Sequence, residues 1–179
     1  QNYPFIDGII IGEPELTFLE IIRMMEAGKA PVSESVAGFA CRINNSITIN
    51  KPRALIDPLD GLPFPLRHRE SLETIGGSIL GSRGCYGNCT FCCINPFYGP
   101  KPCWRGRTPD NIAAEIEALL PALDKKYVYF LDPNFFGKGR GGKLRALEIA
   151  GRLKEYSLRF GLESRCNDID ARTLAKLVD

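Results

Sequence analysis

The sequence predicts an α/β chain holding parts of two domains, and three observations lead there. Apolar runs alternate with helical spacings through the second half, as βαβ units require. Four prolines crowd residues 51–74, where the periodicity lapses. The one strand, one helix and one hairpin before that stretch are too little for an independent core.

Each element rests on its own residues. Segment 5–11 reads as a buried strand ending at Gly12-Glu13. A helix follows, with Leu16, Leu19, Ile22 and Met25 at helical spacing and Gly28 as its stop. Segments 36–43 and 47–50 flank Asn44-Asn45-Ser46, which tolerate turn geometry, so they form a hairpin. Residues 51–74 are read as a linker containing the domain boundary. Beyond it, a short strand at 78–81 leads into a long loop that carries the cysteines. Thr108-Pro109-Asp110 caps a helix with Ile112, Ile116, Leu119, Leu120 and Leu123 on one face. The run 127–131 is apolar throughout, as a parallel strand covered on both faces should be. Its helix spans about 143–156 with Leu144, Leu147, Ala150 and Leu153 inward. A third strand covers 158–163, and Asp170 caps a last helix that stops at Asp179. The alternation implies right-handed βαβ units. Three parallel strands leave the 158–163 edge unpaired, a liability that intact domains cover or close into a barrel. The chain is therefore expected to be a piece of a longer protein.

Composition removes several classes. With 44% hydrophobic and 25% charged residues, disorder and fibrous repeats are excluded. Lysine and arginine number 23 against 21 acidic residues, a balance of +2 that leaves no nucleic-acid footprint. The apolar runs 9–11 and 128–131 are far too short to cross a bilayer. No basic-plus-apolar signal peptide opens the chain, which begins Gln1-Asn2-Tyr3-Pro4. Of seven cysteines, Cys85, Cys89, Cys92 and Cys93 fall within nine residues. Disulfide scaffolds spread their cysteines, whereas a tight cluster points to metal binding in a reducing cytosol. A cytoplasmic protein is expected.

The central motif runs Gly81-Ser82-Arg83-Gly84-Cys85-Tyr86-Gly87-Asn88-Cys89-Thr90-Phe91-Cys92, a C-x3-C-x2-C at the C-terminal mouth of the first strand of a parallel array. Cysteine thiolates ligate iron–sulfur clusters, and a cubane has four irons. Three close cysteines leave one iron open, which is what a catalytic metal needs. Gly84 and Gly87 let the backbone fold around a bulky inorganic core.

Cys85-x-x-x-Cys89-x-Phe91-Cys92 resembles the signature of the radical S-adenosylmethionine (SAM) superfamily. Trp104-Arg105-Gly106-Arg107-Thr108-Pro109-Asp110, Phe130-Leu131-Asp132-Pro133-Asn134-Phe135 and Glu163-Ser164-Arg165-Cys166-Asn167-Asp168 resemble it too. Asp7-Gly8-Ile9-Ile10-Ile11-Gly12-Glu13-Pro14-Glu15 is similar to the closing strand and helix of a cobalamin-binding Rossmann-like domain. Arg53-Ala54-Leu55-Ile56-Asp57 and Leu62-Pro63-Phe64-Pro65 resemble the connector between such a domain and a radical SAM barrel. The resemblance covers nearly the whole chain. It implies the C-terminal part of a cobalamin domain at 1–50, a linker at 51–74, and the first three βα units of a partial (β/α) barrel at 75–179.

By the same resemblance, Cys85, Cys89 and Cys92 hold a [4Fe–4S] cluster whose fourth iron chelates SAM. Reductive cleavage of SAM then gives a 5′-deoxyadenosyl radical, with a flavodoxin- or ferredoxin-type reductant as partner. Phe91 lies beside the adenine. Asp132 and Asn134 stand where the family often has a Gly-Gly-Glu segment touching the SAM amine. Glu163 and Arg165 end the third strand, and the arginine pairs the SAM carboxylate. Gly12 and Glu13 sit at the rim where a corrinoid binds. The implied activity is cobalamin-dependent methyl transfer to an unactivated carbon of a small-molecule substrate, with no nucleic acid and no membrane involved. A radical SAM enzyme lacking functional cobalamin is the alternative.

Other readings stand beside these. Cys85, Cys89, Cys92 and Cys103 form a candidate zinc set, although only Cys89/Cys92 has the paired C-x2-C spacing. An electron-transfer iron–sulfur module is a third possibility. Cys93 reads as an incidental thiol, and Cys41 and Cys166 as small buried apolar residues. His68 reads as a solvated linker residue, and D-x-H-x-x-G, the usual cobalamin-ligating pattern, does not occur. Gly137-Lys138-Gly139-Arg140-Gly141-Gly142 is formally a G-x-G-x-x-G, but residues 132–136 separate it from its strand, where a dinucleotide fold has a tight turn. It reads as a mobile basic loop at a rim. Trp104 reads as a core anchor, and Glu13 and Glu15 also suit a helix's first turn.

Overall fold

The computed structural model describes residues 3, 5–30, 35–43, 46–74, 76–124 and 126–178. It divides into two compact units, residues 1–56 with 97–99 and residues 57–96 with 100–179.

In the first unit, β1 (Gly8–Ile10) leads to α1 (Pro14–Glu26), β2 (Phe39–Ile43) and β3 (Ser46–Ile49). The strands form an antiparallel sheet in chain order. β1 is shorter than expected and is not buried, since Ile9 faces solvent. Gly28, at φ +69°, stops α1 as expected, and its N–H donates to the Met25 carbonyl at 2.9 Å. The inward face of α1 differs from expectation: Thr17 and Ile21 are buried, while Leu16, Leu19 and Met25 are exposed. A polar anchor sets this rotation. The Thr17 hydroxyl donates to the Ala37 carbonyl at 3.0 Å and accepts from Arg53 Nε at 2.8 Å. Ile21 then meets Val36, Phe39 and Cys41 in a small core. Cys41 is buried, as expected. The hairpin registers Ile43 against Ser46, and the expected turn residues Asn44 and Asn45 lie outside the described residues.

In the second unit, a 3-10 turn at Leu59–Gly61 and the helix α2 (Arg69–Thr74) precede β4 (Gly77–Ile79). β5 (Ser82–Cys85), α3 (Ile94–Tyr98, of which residues 94–96 belong to this unit), β6 (Cys103–Gly106), α4 (Pro109–Leu119), β7 (Tyr127–Phe130), α5 (Gly139–Glu155), β8 (Arg159–Gly161) and α6 (Ala171–Val178) follow. β4, β7 and β8 make a parallel sheet in the order β4-β7-β8, leaving β8 at the edge. The expected caps form. Asn111 N–H donates to Thr108 Oγ1 at 3.2 Å, and Thr173 N–H to Asp170 Oδ1 at 2.8 Å. Asp179 lies outside the described residues.

Three expectations need correction. β7 is covered on one face only: Val128 and Phe130 are buried beneath the helices, whereas Tyr127 and Tyr129 are half-buried. α5 begins at Gly139, so the Gly-rich segment is largely its first turn rather than a loop. Its buried face is Gly142, Ala146, Ile149 and Leu153, and Leu144 is exposed. Gly142 fixes that face, because a Cβ there would sit 2.0 Å from the Phe136 carbonyl oxygen. Finally, the cysteine loop is framed by a hairpin. β5 pairs antiparallel with β6, with Cys85 opposite Cys103.

Candidate functional site

Strands β4, β7 and β8 run parallel, so residues following them gather at one rim. There the Asp132 carboxylate accepts Gly81 N–H at 2.9 Å and the Ser82 hydroxyl. Asp132 is 1% exposed, and burial pushes its carboxyl up to about 6 despite those bonds. Arg145, from α5, crosses the same layer. It donates to the carbonyls of Gly81 at 2.6 Å, Arg107 at 2.8 Å and Phe135 at 3.1 Å. Burial pulls its guanidinium down to about 10. The Trp104 ring lies 5.3 Å from that guanidinium, and its Nε1 donates to the Asn134 carbonyl at 2.8 Å. Trp104 is thus an anchor, as expected.

The hairpin places the cysteine loop above this layer. Gly84 has φ +79°, and a Cβ there would meet the Cys103 carbonyl oxygen at 2.3 Å, so only glycine fits. Gly87 N–H donates to Cys85 Sγ at 3.3 Å. Cys92 N–H donates to the Cys89 carbonyl at 3.1 Å, making a turn between those two thiols. Asn95, from α3, donates to the Gly87 carbonyl. All seven thiols are free. Among the described residues, no group of three or more His, Cys, Asp or Glu side chains is gathered closely enough to hold a metal ion. The donor set nevertheless suits a cluster: three free thiols share one loop, and N–H donors already point at two of the sulfurs.

Arg165 supplies the second donor. Its Nη1 lies 3.4 Å from Cys89 Sγ, and its guanidinium stands 5.4 Å from the centre of the Tyr86 ring. The Tyr86 hydroxyl donates to Asp168, and Asp168 accepts Asn134 Nδ2 at 3.2 Å. Burial, followed by the bond to Asp168, raises the Tyr86 phenol above its ordinary value. Ser82, Tyr86, Arg145 and Asp168 are site residues that no sequence pattern singles out. Tyr86 and Asp168 lie inside the quoted motifs, but Arg145 is one basic residue in a basic helix and carries no local signal.

The expected cofactor residues distribute unevenly. Phe91 is 91% exposed. Glu163 is exposed at the rim and accepts the Tyr129 hydroxyl at 3.0 Å. Asp132 and Asn134 lie beneath the rim, fully buried, with their polar atoms engaged by the protein. Arg165 is turned toward Cys89. In the first unit, Gly12 has φ +84° with open space where a Cβ would be. Glu13 is buried, and its carboxylate accepts Ile56 N–H at 2.7 Å. Cys166, expected inside, is exposed, because its 3-10 turn at Cys166–Asp168 buries Asp168 instead. His68 is exposed, as expected.

No protein-family model matches the chain. It is 30% identical over 164 residues to an uncharacterized methyltransferase of Pyrococcus horikoshii, covering 88% of this chain and 34% of that protein. It is 34% identical over 110 residues to the hopanoid C-2 methylase of Rhodopseudomonas palustris, covering 60% of this chain and 20% of the methylase. The chain thus spans about a third of the first relative's length and a fifth of the second's. Its fold matches the radical SAM methyltransferase TsrM of Kitasatospora setae, solved with cobalamin and a [4Fe–4S] cluster bound. The TM-score is 0.75 at 19% identity, over 98% of this chain and 37% of that one. The expected likeness to the cobalamin-binding radical SAM group is borne out at the level of the fold, and the relatives carry methyltransferase and methylase names, as expected. Among the described residues no helix is long and apolar enough to cross a membrane.

Proposed function

We propose that the chain is part of a radical SAM enzyme that binds cobalamin and transfers a methyl group to an unactivated carbon of a small-molecule substrate. One observation carries the reading. Free cysteines Cys85, Cys89 and Cys92, in C-x3-C-x2-C spacing, start at the last residue of β5, the strand that comes after β4 leaves the parallel sheet. The methyltransferase names of the relatives support it.

In this reading Cys85, Cys89 and Cys92 hold the [4Fe–4S] cluster, and residues 1–50 are the end of a corrinoid-binding domain. When bound, the cluster supplies the electron that cleaves the SAM sulfonium, and the corrinoid supplies a cobalt centre for methyl transfer. The chain's own residues bind and orient. Glu163, steadied by the Tyr129 hydroxyl, offers a rim carboxylate to the SAM amine. Phe91 is free to lie against the adenine. Asp132 and Asn134 work a layer below, fastening the strand ends that carry the rim. Gly12 leaves the backbone open to a macrocycle, and Glu13 holds the segment at Ile56. A flavodoxin- or ferredoxin-type reductant in a reducing cytosol completes the proposal.

The test is anaerobic reconstitution of the full-length protein, followed by absorbance and EPR with and without SAM. Alanine at Cys85, Cys89 or Cys92 should abolish the brown absorption and SAM cleavage, and Cys93→Ala should spare both. An intact spectrum in Cys89→Ala would sink the ligand assignment. A colourless protein carrying stoichiometric zinc would decide for the structural zinc site. The corrinoid is tested separately: cobalamin should survive gel filtration, whereas cobalt-free protein with full turnover would establish the cobalamin-independent alternative.

A further inference from the structure

We propose that Arg165 is a positioning residue for Cys89, a fixed N–H donor to that sulfur which raises the reduction potential of the cluster assigned to the loop. The inference rests on the proposed ligand set of Cys85, Cys89 and Cys92. Four observations converge on it. Arg165 Nη1 lies 3.4 Å from Cys89 Sγ, across 76 residues of chain, so the contact is made by the fold rather than by the loop. The guanidinium stands over the Tyr86 ring at 5.4 Å, and that ring is pinned by its hydroxyl on Asp168. Asp168 is buried and is held in turn by Asn134 at 3.2 Å, while Ser164, next to Arg165, donates to the other end of the Asn134 amide at 3.3 Å. Gly87 keeps the space clear, because a Cβ there would lie 2.0 Å from Arg165 Nη1.

The physical consequence follows from charge. One-electron reduction adds negative charge to a cluster and its thiolates, and hydrogen bonds to the sulfurs stabilise the more negative state. A cationic donor does so more strongly than a neutral one. Among the described residues Arg165 Nε is buried without a hydrogen-bond partner, so the guanidinium keeps one N–H unused beside the bond to Cys89. Cys85 Sγ accepts from the neutral Gly87 amide at 3.3 Å, whereas Cys89 Sγ accepts from a cationic donor, so the donors on the two sulfurs are unequal. This role differs from salt-bridging the SAM carboxylate, because it operates with no SAM bound.

The experiment uses full-length, anaerobically reconstituted protein grown with guanidino-15N-arginine, studied without SAM. Pulsed EPR of the reduced cluster should show a 15N coupling that Arg165→Gln removes. Potentiometry should find the midpoint shifted to more negative values in Arg165→Gln and largely restored in Arg165→Lys, which keeps a cationic donor. A structural role alone would alter cluster occupancy without moving the midpoint of the clusters that remain. If Arg165→Gln takes up no cluster, the labelled parent protein still decides by the presence or absence of the coupling. Absence of 15N coupling with unchanged midpoints overturns the inference and leaves the ligand set standing. Failure of the parent protein to form any cluster overturns both.

Discussion

The Ser82 hydroxyl donates to the Asp132 carboxylate, tying the first residue of β5 to the second residue beyond β7. Gly81 N–H reaches the same carboxylate at 2.9 Å. The hairpin that carries the cysteines is therefore clamped to the parallel sheet through one buried acid. Two acceptor oxygens serve two donors, and burial opposes the charge they would favour.

Stability should depend on pH through Asp132. Its folded carboxyl titrates near 6 against an ordinary 3.8, so between those values the folded state binds more protons than the unfolded one. Its favourable term is complete at acid pH and is lost as pH rises through about 6. The loss is on the order of 3 kcal/mol for a shift of about two units. Urea unfolding from pH 4 to 7 should show this decline in the parent protein and a flatter profile in Asp132→Asn. Equal slopes for the two proteins would remove Asp132 from the titration.

Arg145→Met should destabilise the second unit by about 3 kcal/mol. It strips donors from the carbonyls of Gly81, Arg107 and Phe135 in a layer that water does not enter freely. Arg145→Lys should recover only part, since a point charge cannot span the fork. Thermal unfolding measures both. A methionine variant as stable as the parent would show that the arginine is dispensable.

Two glycines of α5 should respond oppositely to alanine. Gly142→Ala drives a Cβ to within 2.0 Å of the Phe136 carbonyl oxygen, so backbone must shift and stability must fall. Gly151 has nothing within 4 Å of its Cβ position, so Gly151→Ala should stabilise by about 1 kcal/mol through helix propensity. Equilibrium urea curves for the pair check the sign of each.

Titration with NAD(P)H should show no saturable binding at micromolar levels. The glycines at 139–142 form a helical turn packed on Phe136, and residues 132–136 keep them from the strand end. A stoichiometric isotherm lost on Gly139→Val would revive a dinucleotide site.

Much of this was legible in the sequence because its signals are local. Thr108 and Asp170 cap helices through atoms a few residues away, and Gly28 stops one. The C-x3-C-x2-C spacing marks the cysteine loop without any fold. Helix rotation was not legible. α1 turns on the bonds of Thr17 to Ala37 and Arg53, and α5 on the clearance between Gly142 and Phe136. Apolar spacing cannot register polar anchors or missing side chains. The pairing of Cys85 with Cys103 was hidden for a related reason: β5 and β6 are rich in Arg, Gly and Cys and lack the β-branched residues that announce strands. Arg145 acts on three loops that meet only in the folded chain.

The span of the Cys89–Arg165 contact also orders events in time. Closing 76 residues costs more chain entropy than forming the hairpin that pairs Cys85 with Cys103, so the hairpin can form while Arg165 is still distant. The parallel sheet must first bring β8 beside β7 across its intervening helix. The Cys89–Arg165 contact therefore comes late, and its presence reports that β8 has been seated on the sheet.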